Sequence, residues 1–431
     1  MRPHGSAAAP SFLTALSLRQ PFAIVDLGSA YAKALVLTYG PTAAWSVVGA
    51  GSVCYTNRQE RLGPEALPQR LHAGLEALDQ ARRRTPSLCG RVVTPMLVAV
   101  TAVQEEVFLA CRRSEVSRRR PMRPIEMRDA THAATLADAA CMQQARGWPP
   151  GEQSGPPLAW LGPIWQASYV DGHGVTGPLG FRGKTLASES THAFAAGAAI
   201  EPLRRWAKAQ AAQSVLLPEA AGAAELLRKR SPCLLVDAGG RRTDFYLRAA
   251  DGALRHTRVP LGGSYFSRWI ALAGAISPSR AEGVKLAYGE GRLRPRSVEK
   301  MQALTRRALG GYARRVGVAI GALGPGCPTT WLACGGGSLL PEWSCLPAAI
   351  VDASMCRFDR RPDLAPLRLS DSSNNVIAGP ERLQPCHWLS LGLARYLVRL
   401  SLDEAAAQEA RRGATLASKA GFEVASEWLS L

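Results

Sequence analysis

Two segments of the chain share a pattern in which an apolar run ends in an aspartate and a glycine follows two residues later. Apolar runs on both sides of a short glycine turn predict β-hairpins. Glycine lets a backbone approach a ligand closely, and successive N–H groups in such a turn bind phosphate oxygens. A carboxylate at the end of the strand is placed to hold a hydrated magnesium ion. The segments are residues 22–37, with Asp26 and Gly28, and residues 233–247, with Asp237, Gly239 and Gly240.

Other polar residues strengthen this phosphate interpretation. In the first segment Ser29 supplies a hydroxyl and Lys33 a positive charge, and in the second Thr243 supplies a hydroxyl. A third strand-like run enters the turn Gly335–Gly337, followed by Ser338, whose flat backbone would lie against an adenine ring and a ribose. Any one of these loops is equally well explained as an ordinary tight turn. Three of them, in this order and at these separations, predict a nucleotide-binding site.

The length and composition describe a globular protein of several subdomains. The chain has 431 residues, of which 47% are hydrophobic and 20% are charged, which excludes a disordered protein and allows two to four subdomains. Its ten cysteines form no CxxC pair and have no histidine at metal-ligand spacing, so a zinc site is not predicted. We interpret them as small core residues, a pattern that suits a reducing cytoplasm. No apolar stretch is long enough to span a bilayer.

The chain carries a formal net charge of +18. Such a surplus indicates an anionic partner, namely nucleic acid, an acidic membrane surface or a nucleotide. The alternative explanation is a GC-rich genome, which encodes arginine where other genomes encode lysine or polar residues. No RNP, zinc-finger or basic-zipper pattern accompanies the basic residues, so nucleic acid is not predicted as a partner. The clearest basic cluster is Arg112, Arg113, Arg118, Arg119, Arg120 and Arg123.

The order of the Asp26 loop, the Asp237 loop and the Gly335–Gly337 loop resembles the phosphate-one, phosphate-two and adenosine motifs of the superfamily of actins, hexokinases and heat-shock chaperones. Within it the sequence is most similar to FtsA, the family of bacterial cell-division actins that tether the division ring to the membrane. Lys33, five residues after Gly28, is spaced as in the type IV pilus protein PilM and in actins rather than as in FtsA. Further matches to the family are residues 169–186 (the segment leaving the inserted subdomain), 259–264 (the turn after phosphate two), 281–289 (the helix that offers Glu282 and Lys285 to the nucleoside), and 217–223 and 388–397 (the two connecting helices).

The resemblance implies an α/β, two-lobed actin-like ATPase fold built from ribonuclease H-like repeats, with a small subdomain inserted in the first lobe. Alternating hairpins and helices agree with α/β layers around a cleft. In FtsA-like proteins the inserted subdomain makes the contact between subunits, so self-association as a homo-oligomer or filament is implied. The implied divisions are a flexible leader at 1–20; the first lobe at 21–90 and 187–230, with helices around 67–81 and 187–230; the inserted subdomain at 91–186, opening with a strand at 92–100 and containing a helix at 125–146; the second lobe at 231–385, mainly helical at about 265–325; and a cross-over helix with a C-terminal tail at 386–431.

ATP and Mg²⁺ are the implied cofactors. By resemblance, Asp26 and Asp237 would organise magnesium and the attacking water, which makes them the candidate catalytic and metal-binding residues. Phosphoryl transfer to water would then depend on positioning and electrostatics rather than on a covalent intermediate. The sequence leaves open whether ATP is hydrolysed, as a conformational switch, or only bound. The implied cofactor-binding residues are Gly28, Ser29, Lys33, Gly239, Gly240 and Thr243 for the phosphates, and Glu282, Lys285, Gly335, Gly336, Gly337 and Ser338 for the nucleoside.

Two features depart from the FtsA pattern. Arg241 and Arg242 occupy positions that the family usually fills with small residues or threonine, and there they would clamp phosphate oxygens, crowd the loop, or point to solvent from the hairpin tip. The tail at 401–431 ends in apolar residues at helical spacing, which suits either a membrane-anchoring helix or a terminal helix packed on its own domain. These residues are Phe422, Ala425, Trp428 and Leu429.

The predicted function is an FtsA-like, ATP-binding scaffold of cell division or the cytoskeleton that self-associates and recruits division proteins, either in the cytoplasm or at the inner face of the membrane. The alternative is a PilM-like protein of pilus or secretion assembly that holds nucleotide with little turnover. A small-molecule kinase of the same fold would need a second pocket with a carboxylate base, for which no motif is present. A chaperone or reactivase would need a substrate-binding domain, for which the tail after residue 397 is too short. The insertion at 91–186 favours the first two functions, because kinases and chaperones of the fold seldom place a domain there.

Overall fold

The computed structural model of the chain describes residues 20–39, 45–55, 66–85, 93–101, 107–122, 126, 130, 158–175, 181–228, 230, 232–250, 252–324, 327–353, 358, 360–368, 376–378 and 383–400. The strands in these residues are β1 (Phe22–Leu27), β2 (Tyr31–Tyr39), β3 (Trp45–Cys54), β4 (Leu97–Thr101), β5 (Val107–Met122), β6 (Leu158–Val170), β7 (His173–Val175), β8 (Gly183–Ala196), β9 (Gln213–Leu217), β10 (Cys233–Ala238), β11 (Thr243–Arg248), β12 (Leu254–Val259), β13 (Thr330–Cys334), β14 (Asp363–Pro366) and β15 (Val376–Ala378).

Helices cover the sheets and connect them. The α-helices are α1 (Leu67–Arg84), α2 (Gly197–Gln210), α3 (Glu219–Leu227), α4 (Gly263–Gly274), α5 (Pro278–Gly289), α6 (Pro295–Gly321), α7 (Leu346–Asp352) and α8 (388–400). Short 3₁₀ turns occur at Gly336–Leu339, Pro341–Cys345 and Pro385–His387.

Two of the sheets repeat one strand order. The first sheet has the order β15-β3-β2-β1-β4-β9, and the second has the order β12-β11-β10-β13-β14. In each, three consecutive strands form an antiparallel meander, and two later strands add in parallel beside the first strand of that meander. The hairpins predicted around the two aspartates are β1–β2 and β10–β11, at matching positions of the two sheets. This duplication confirms the predicted α/β architecture of two ribonuclease H-like repeats.

Strand β1 is buried along its whole length because helices cover both faces of the first sheet. Its side chains alternate between two cores: Phe22 and Ile24 lie in one with α3 and α8, whereas Val25 and Leu27 lie in another with α1 and α2. A strand buried on both faces needs apolar residues at every position rather than at alternate ones. The uninterrupted apolar run before Asp26 is therefore explained by the layers above and below it.

The connecting helices α3 and α8 lie between the two repeated sheets. One core cluster contains Ile24 of the first sheet, Leu235 of the second and Leu389 of α8. The helices approach each other most closely at two glycines: a Cβ atom on Gly222 would lie 2.6 Å from the Leu389 carbonyl oxygen, and one on Gly392 would overlap the Gly222 carbonyl. The two halves of the chain are thus joined through a shared core that tolerates only glycine at the helix crossing.

A third sheet, antiparallel and of order β5-β8-β6-β7, is formed by residues 107–196. Its edge strand β5 carries most of the predicted arginine cluster. Hydrogen bonds connect this sheet to the second repeated sheet: the Trp165 indole N–H donates to the Gly252 carbonyl at 2.7 Å, the Thr191 hydroxyl donates to the Leu254 carbonyl at 3.5 Å, and Arg258 donates to the Val107 carbonyl at 3.1 Å.

Several local predictions differ from the structure. The strand expected to open the insertion is β4, and it pairs with β1 and β9 inside the first sheet. Helices were expected around 187–230, but 187–196 continue β8, since the run of alanine, serine and threonine is held between β5 and β6. Residue 186 therefore lies within a continuous strand. Of the helix predicted at 125–146, only 126 and 130 are described, both helical. The predicted leader, apart from residue 20, and the tail after residue 400 lie outside the described residues.

Candidate functional site

In the first hairpin, Asp26 and Lys33 form a buried ion pair. The antiparallel register places them opposite each other, and Lys33 Nζ lies 2.6 Å from Asp26 Oδ2, with side-chain exposures of 12% and 1%. Burial acts to lower the pKa of Lys33, but Asp26 and other acidic groups nearby outweigh it and hold that pKa above its ordinary value. Lys33 is therefore a permanent cation close to the turn of the hairpin.

Groups outside the hairpin hold this pair in place. Thr101, at the end of β4, donates to Asp26 Oδ1 at 3.5 Å, and Ser390 of α8 donates to Asp26 Oδ2 at 3.4 Å. Lys33 Nζ donates to the carbonyl oxygen of Cys386 at 3.2 Å. Sequence reasoning missed all three of these residues. Thr101 carried a usable signal, because a polar residue at the carboxyl end of a parallel strand marks the edge where ligands bind in α/β sheets.

The second hairpin directs two backbone N–H groups toward the first. N–H groups at the start of α4 donate to the carbonyl oxygens of Gly239 at 2.9 Å and of Gly240 at 2.7 Å. In a trans peptide the C=O and N–H point in opposite directions, so the N–H groups of Gly240 and Arg241 point away from α4. The Arg241 N–H donates to Ser29 Oγ of the first hairpin at 3.1 Å. The turn thus presents paired donors of the kind that bind phosphate.

The predicted loop glycines lie where no side chain fits. A Cβ atom on Gly28 would be 2.9 Å from the Tyr31 carbonyl oxygen, and one on Gly239 would be 3.0 Å from the Arg242 carbonyl oxygen. One on Gly240 would overlap the Cβ of Ala30 across the gap between the hairpins. The two turns are therefore in direct contact, and glycine is what lets them approach.

Asp237 of the second hairpin is buried beside a thiol instead of an ammonium group. The Cys334 thiol donates to Asp237 Oδ1 at 3.8 Å, and Asp237 is 6% exposed. Burial raises the pKa of Asp237 to about 6, with the carboxylates of Asp244 and Asp26 acting in the same direction and Lys33 and Arg242 opposing them. An added cation would stabilise the ionised form of this buried carboxylate.

The third glycine loop packs against the second hairpin. Gly335 has a φ of +84°, and a Cβ atom there would overlap Asp237 Oδ1. A Cβ on Gly337 would lie 2.8 Å from the Ala238 carbonyl oxygen. The Gly335 N–H donates to the Pro385 carbonyl at 3.1 Å, so this loop also contacts the segment that precedes α8. Ser338 donates its hydroxyl to the Gly335 carbonyl at 2.7 Å and so closes its own turn.

Glu282 and Lys285 on α5 form a pair at the opposite side of the hairpin contact. Lys285 Nζ lies 2.8 Å from Glu282 Oε2, and Ser267 donates to the same carboxylate oxygen. A Cβ on Gly263 would lie 2.9 Å from Lys285 Nζ. Burial raises the pKa of Tyr31 above its ordinary range, with Glu282 among the groups that add to this effect. The predicted nucleoside-binding pair of the second lobe is therefore close enough to influence β2 of the first.

Two predicted roles do not match where the side chains lie. Thr243 is fully buried, donates to the Leu261 carbonyl at 2.8 Å and is bonded to the Tyr312 hydroxyl, so its hydroxyl faces the interior of the second lobe. Arg242 neither clamps phosphate nor points to solvent, because it is buried and binds Glu219 at 2.8 Å and Asp244 at 2.6 Å. The prediction for Arg242 was wrong, since sequence did not reveal that α3 supplies a carboxylate to receive it.

The donor set fits a nucleotide with magnesium. Lys33 and the N–H groups of Gly240 and Arg241 are donors of the kind that phosphate oxygens accept from, and Asp26 and Asp237 are carboxylates on adjoining hairpins. Within the described part of the chain, no group of three or more His, Cys, Asp or Glu side chains is arranged to hold a metal alone. Magnesium sites of nucleotides typically use one or two carboxylates together with phosphate oxygens and water. A ligand that brings its own phosphates matches this arrangement.

Comparison with solved structures identifies the fold. A chain of the PilM–PilN type IV pilus biogenesis complex superposes with a TM-score of 0.55 at 18% identity, covering 88% of this chain and 99% of that one. The ethanolamine utilization protein EutJ from Carboxydothermus hydrogenoformans gives a TM-score of 0.46 at 14% identity, covering 87% and 89% of the two chains. MreB5 of Spiroplasma citri bound to AMPPNP gives 0.45 at 14% identity, covering 89% and 98%. With the duplicated sheets, the overlap with the pilus-complex chain confirms the two-lobed actin-like ATPase fold.

Other comparisons give no family. No protein-family model and no curated protein matches the sequence. Among the described residues, no helix combines the length and the apolar character needed to cross a bilayer.

Proposed function

On the basis of the two-lobed actin-like ATPase fold, we propose that the chain binds ATP with magnesium between its two hairpins and uses the nucleotide to set the arrangement of its lobes. The observation that carries this proposal is the hydrogen bond from the Arg241 N–H to Ser29 Oγ, which joins the second hairpin to the turn that follows the Asp26–Lys33 pair in the first. A ligand held at this point touches both lobes at once. The bound and the free protein therefore favour different separations of the two lobes.

The two hairpins take different parts in binding. Lys33 leaves Asp26 to bind phosphate oxygens, together with the N–H groups of Gly240 and Arg241. Asp26 and Asp237 hold the water shell of magnesium, which supplies positive charge at the phosphate oxygens when bound. The raised pKa of Asp237, about 6, supports this assignment, because Lys33 and Arg242 do not fully offset the effect of burial and of the neighbouring carboxylates.

The nucleoside is proposed to lie between α5 and the third loop. Lys285 and Glu282 provide a donor and an acceptor on the side nearest β2. The backbone of Gly335–Ser338 provides a flat surface, since Gly335 and Gly337 have no room for side chains. The end of α5 contacts the third loop, since a Cβ on Gly289 would lie 3.2 Å from the Leu339 carbonyl oxygen, and that loop in turn contacts the second hairpin at Gly335 and Gly337. The base and the phosphates are therefore bound by one continuous region.

The biological role that we propose is an FtsA-like scaffold that self-associates and recruits partners of cell division or the cytoskeleton. The third sheet supports this role, because strands β5–β8 add a sheet to the two repeated sheets and present the exposed edge strand β5. An exposed edge strand is a ready surface for contact with another chain.

ATP affinity measured with a fluorescent analogue, with and without magnesium, tests the nucleotide proposal. Lys33→Met is expected to weaken binding about tenfold to a hundredfold, because a charge-assisted hydrogen bond contributes about 1.5–3 kcal/mol. Lys208→Met, at an exposed position of α2, is the matched control and should bind as the parent protein does. Equal affinities of the two variants, or no saturable binding by the parent protein, would show that the hairpins do not bind ATP.

A PilM-like assembly protein is the second candidate, supported by the overlap with the PilM–PilN complex, which covers 99% of that chain. In this role the protein holds nucleotide with little turnover and remains unpolymerised. Sedimentation of the protein with ATP and magnesium separates the two roles. Nucleotide-dependent pelleting supports the FtsA-like scaffold, whereas a protein that binds ATP and stays in the supernatant supports the PilM-like adaptor.

A further inference from the structure

One end of the third sheet carries a basic surface that nucleotide binding does not use. In the β5–β8 pairing, Ser117 lies opposite Thr185 and Met122 lies opposite Gly183, so the residues between them on β5 bulge out from the ladder. This places the end of β5, the start of β8 and the β6–β7 turn at one tip of the sheet. We call this the basic tip; its exposed residues are Arg118, Arg119, Arg120, Phe181, Arg182 and Lys184.

The charges of the basic tip are only partly neutralised. Arg120 binds Glu126 through two hydrogen bonds of 3.0 and 2.7 Å. Among the described residues, no ion pair of this kind is formed by Arg118, Arg119 or Arg182, which leaves three exposed guanidinium groups close together.

The neighbouring acid at the tip is engaged by the sheet itself. Asp171, in the β6–β7 turn, accepts hydrogen bonds from the Lys184 N–H at 2.9 Å and from the Thr185 N–H at 2.8 Å. These bonds lower the pKa of Asp171, the Thr185 N–H contributing most. The carboxylate of Asp171 therefore fixes the turn, while the Lys184 ammonium remains exposed at the surface.

An apolar side chain stands among these cations. Phe181 is 45% exposed, which makes it one of the few large hydrophobic residues on the surface of the described chain. It lies next to Arg182 and three residues before Lys184. An exposed phenyl ring next to basic side chains in the chain is the composition that favours the interface between water and anionic lipid.

We propose that the basic tip binds an anionic phospholipid surface. Phe181 enters the headgroup region, and the guanidinium and ammonium groups around it bind lipid phosphates. The tip is the end of a sheet at which Arg118–Arg120 bulge out from the ladder, so its charges are presented to a broad, flat partner. Single-stranded nucleic acid, the competing polyanion, is usually bound along a groove. The lipid contact made here lies away from the hairpins and is independent of nucleotide binding.

Flotation of the full chain with vesicles tests the proposal. The vesicles contain phosphatidylglycerol and phosphatidylcholine in equal parts, or phosphatidylcholine alone. We expect binding to the anionic vesicles only, and weaker binding as salt is raised, because exposed charges are screened. The variant that replaces Arg118, Arg119, Arg182 and Lys184 with Gln removes four charges. Each basic residue near an anionic bilayer contributes about fivefold in affinity, so we expect a loss between about tenfold and a few hundredfold.

The matched control replaces Arg306, Arg307, Arg314 and Arg315 with Gln. These four are exposed on α6 of the second lobe, so the control removes the same charge from the same molecule and should keep most of the vesicle binding. Phe181→Ser is the second test variant and should lose binding while keeping every charge.

The outcomes separate three readings. Parent-like binding by the variant of the basic tip, or equal losses in the control, would overturn the proposal and assign lipid binding to net charge or to another segment. Binding of a single-stranded oligonucleotide that the tip variant loses, without vesicle binding by the parent, would also overturn it. ATP affinity measured on the same samples should be unchanged in all variants, so failure of this proposal is distinct from failure of the nucleotide proposal.

Discussion

The two hairpins occupy the same position in the two repeated sheets, but they differ in the charge of the residue that pairs with the aspartate. In the first, Asp26 lies opposite Lys33, and in the second, Asp237 lies opposite Asp244. The same register thus places a cation beside one aspartate and an anion beside the other. The first hairpin is neutral in itself and has a lysine to offer to phosphate. The second carries excess negative charge at Asp237 and is prepared to receive a cation.

The second hairpin neutralises its additional acid from outside the turn. Asp244 accepts hydrogen bonds from Arg242 at 2.6 Å and from His256 at 2.8 Å, and Arg258 lies 3.6 Å away. Burial acts to raise the pKa of Asp244, but Arg242, the hydrogen bond with His256 and Arg258 outweigh it and hold that pKa well below its ordinary range. Arg242 also binds Glu219 on α3. Asp244, at the position that corresponds to Lys33, is therefore linked through Arg242 to the connecting helix α3. Among the described residues, the first hairpin forms no ion pair of this kind with α3.

We expect the largest loss of stability from Arg242→Ala, which removes a cation that neutralises the additional acid of the second hairpin. Removal of Arg242 leaves Glu219 and Asp244 buried without their shared cation, and loss of one partner of a buried ion pair costs about 3–5 kcal/mol. The free energy of unfolding, measured by urea denaturation without nucleotide, should fall by about that amount. Arg241→Ala is the control from the same turn, since its N–H remains in any residue, and should change stability by less than about 0.5 kcal/mol. Similar losses in both variants would contradict the structural role of Arg242.

The contrast between Arg241 and Arg242 shows where sequence reasoning stops. The three loops were predictable because each is a local pattern, an apolar run followed by an aspartate or a cysteine and then glycine. The direction of Arg242 was not, because it depends on Glu219, which lies on another element and reaches the hairpin only after α3 packs between the sheets. Thr243 was misplaced for the same reason, since its partner Tyr312 lies on α6.

Strand β8 shows a second limit. Residues 187–196 are alanine, serine, threonine, glutamate, histidine and phenylalanine without a clear period, and helix and strand were equally compatible with them. Their conformation is set by pairing on both sides, with β5 and β6. The duplicated fold was recoverable because its hairpins are local, whereas the third sheet depends on partners far away in the chain.

The pH dependence of stability sharpens the comparison at Asp237. Its pKa is raised from 3.8 to about 6 in the folded protein, so the folded state keeps a proton that the unfolded chain releases between about pH 4 and 6. Stability must therefore fall as pH rises through this window, by at most about 3 kcal/mol at 1.4 kcal/mol per pKa unit. Asp237→Asn cannot ionise and should lack this component.

Urea denaturation of both proteins across the window measures the effect. The stability of Asp237→Asn minus that of the parent should increase from pH 4 to pH 6 by up to about 3 kcal/mol, because the other titrating groups are present in both proteins. A difference that stays constant over this range would mean that Asp237 is not held in its protonated form by burial.

A smaller effect is expected where the third loop meets the second hairpin. The methyl group of Gly335→Ala would overlap Asp237 Oδ1, and the backbone at this position has a φ of +84°. A side chain in that conformation costs about 1–2 kcal/mol, and the overlap adds to it. We expect lower stability together with weaker ATP binding, since the carboxylate must shift. Gly336→Ala is the control, because its Cβ would lie 3.8 Å from the Cys386 Cβ. Loss in the control but not in Gly335→Ala would show that the loop is positioned differently.

The smallest effect concerns the contact between the hairpins themselves. Ser29→Ala removes a hydroxyl that accepts from the Arg241 N–H in the free protein and that is itself a predicted phosphate ligand, and a hydrogen bond of this kind contributes about 0.5–1.5 kcal/mol. Ser344→Ala is the control, because the Ser344 hydroxyl is exposed and donates to the Pro341 carbonyl of its own turn at 2.9 Å. If the nucleotide joins the two halves through their turns, Ser29→Ala should weaken ATP binding by up to about tenfold while Ser344→Ala changes it less. Equal changes in ATP affinity would mean that the two hairpins bind the nucleotide independently. The two differently charged hairpins would then be separate sites rather than one site shared by both lobes.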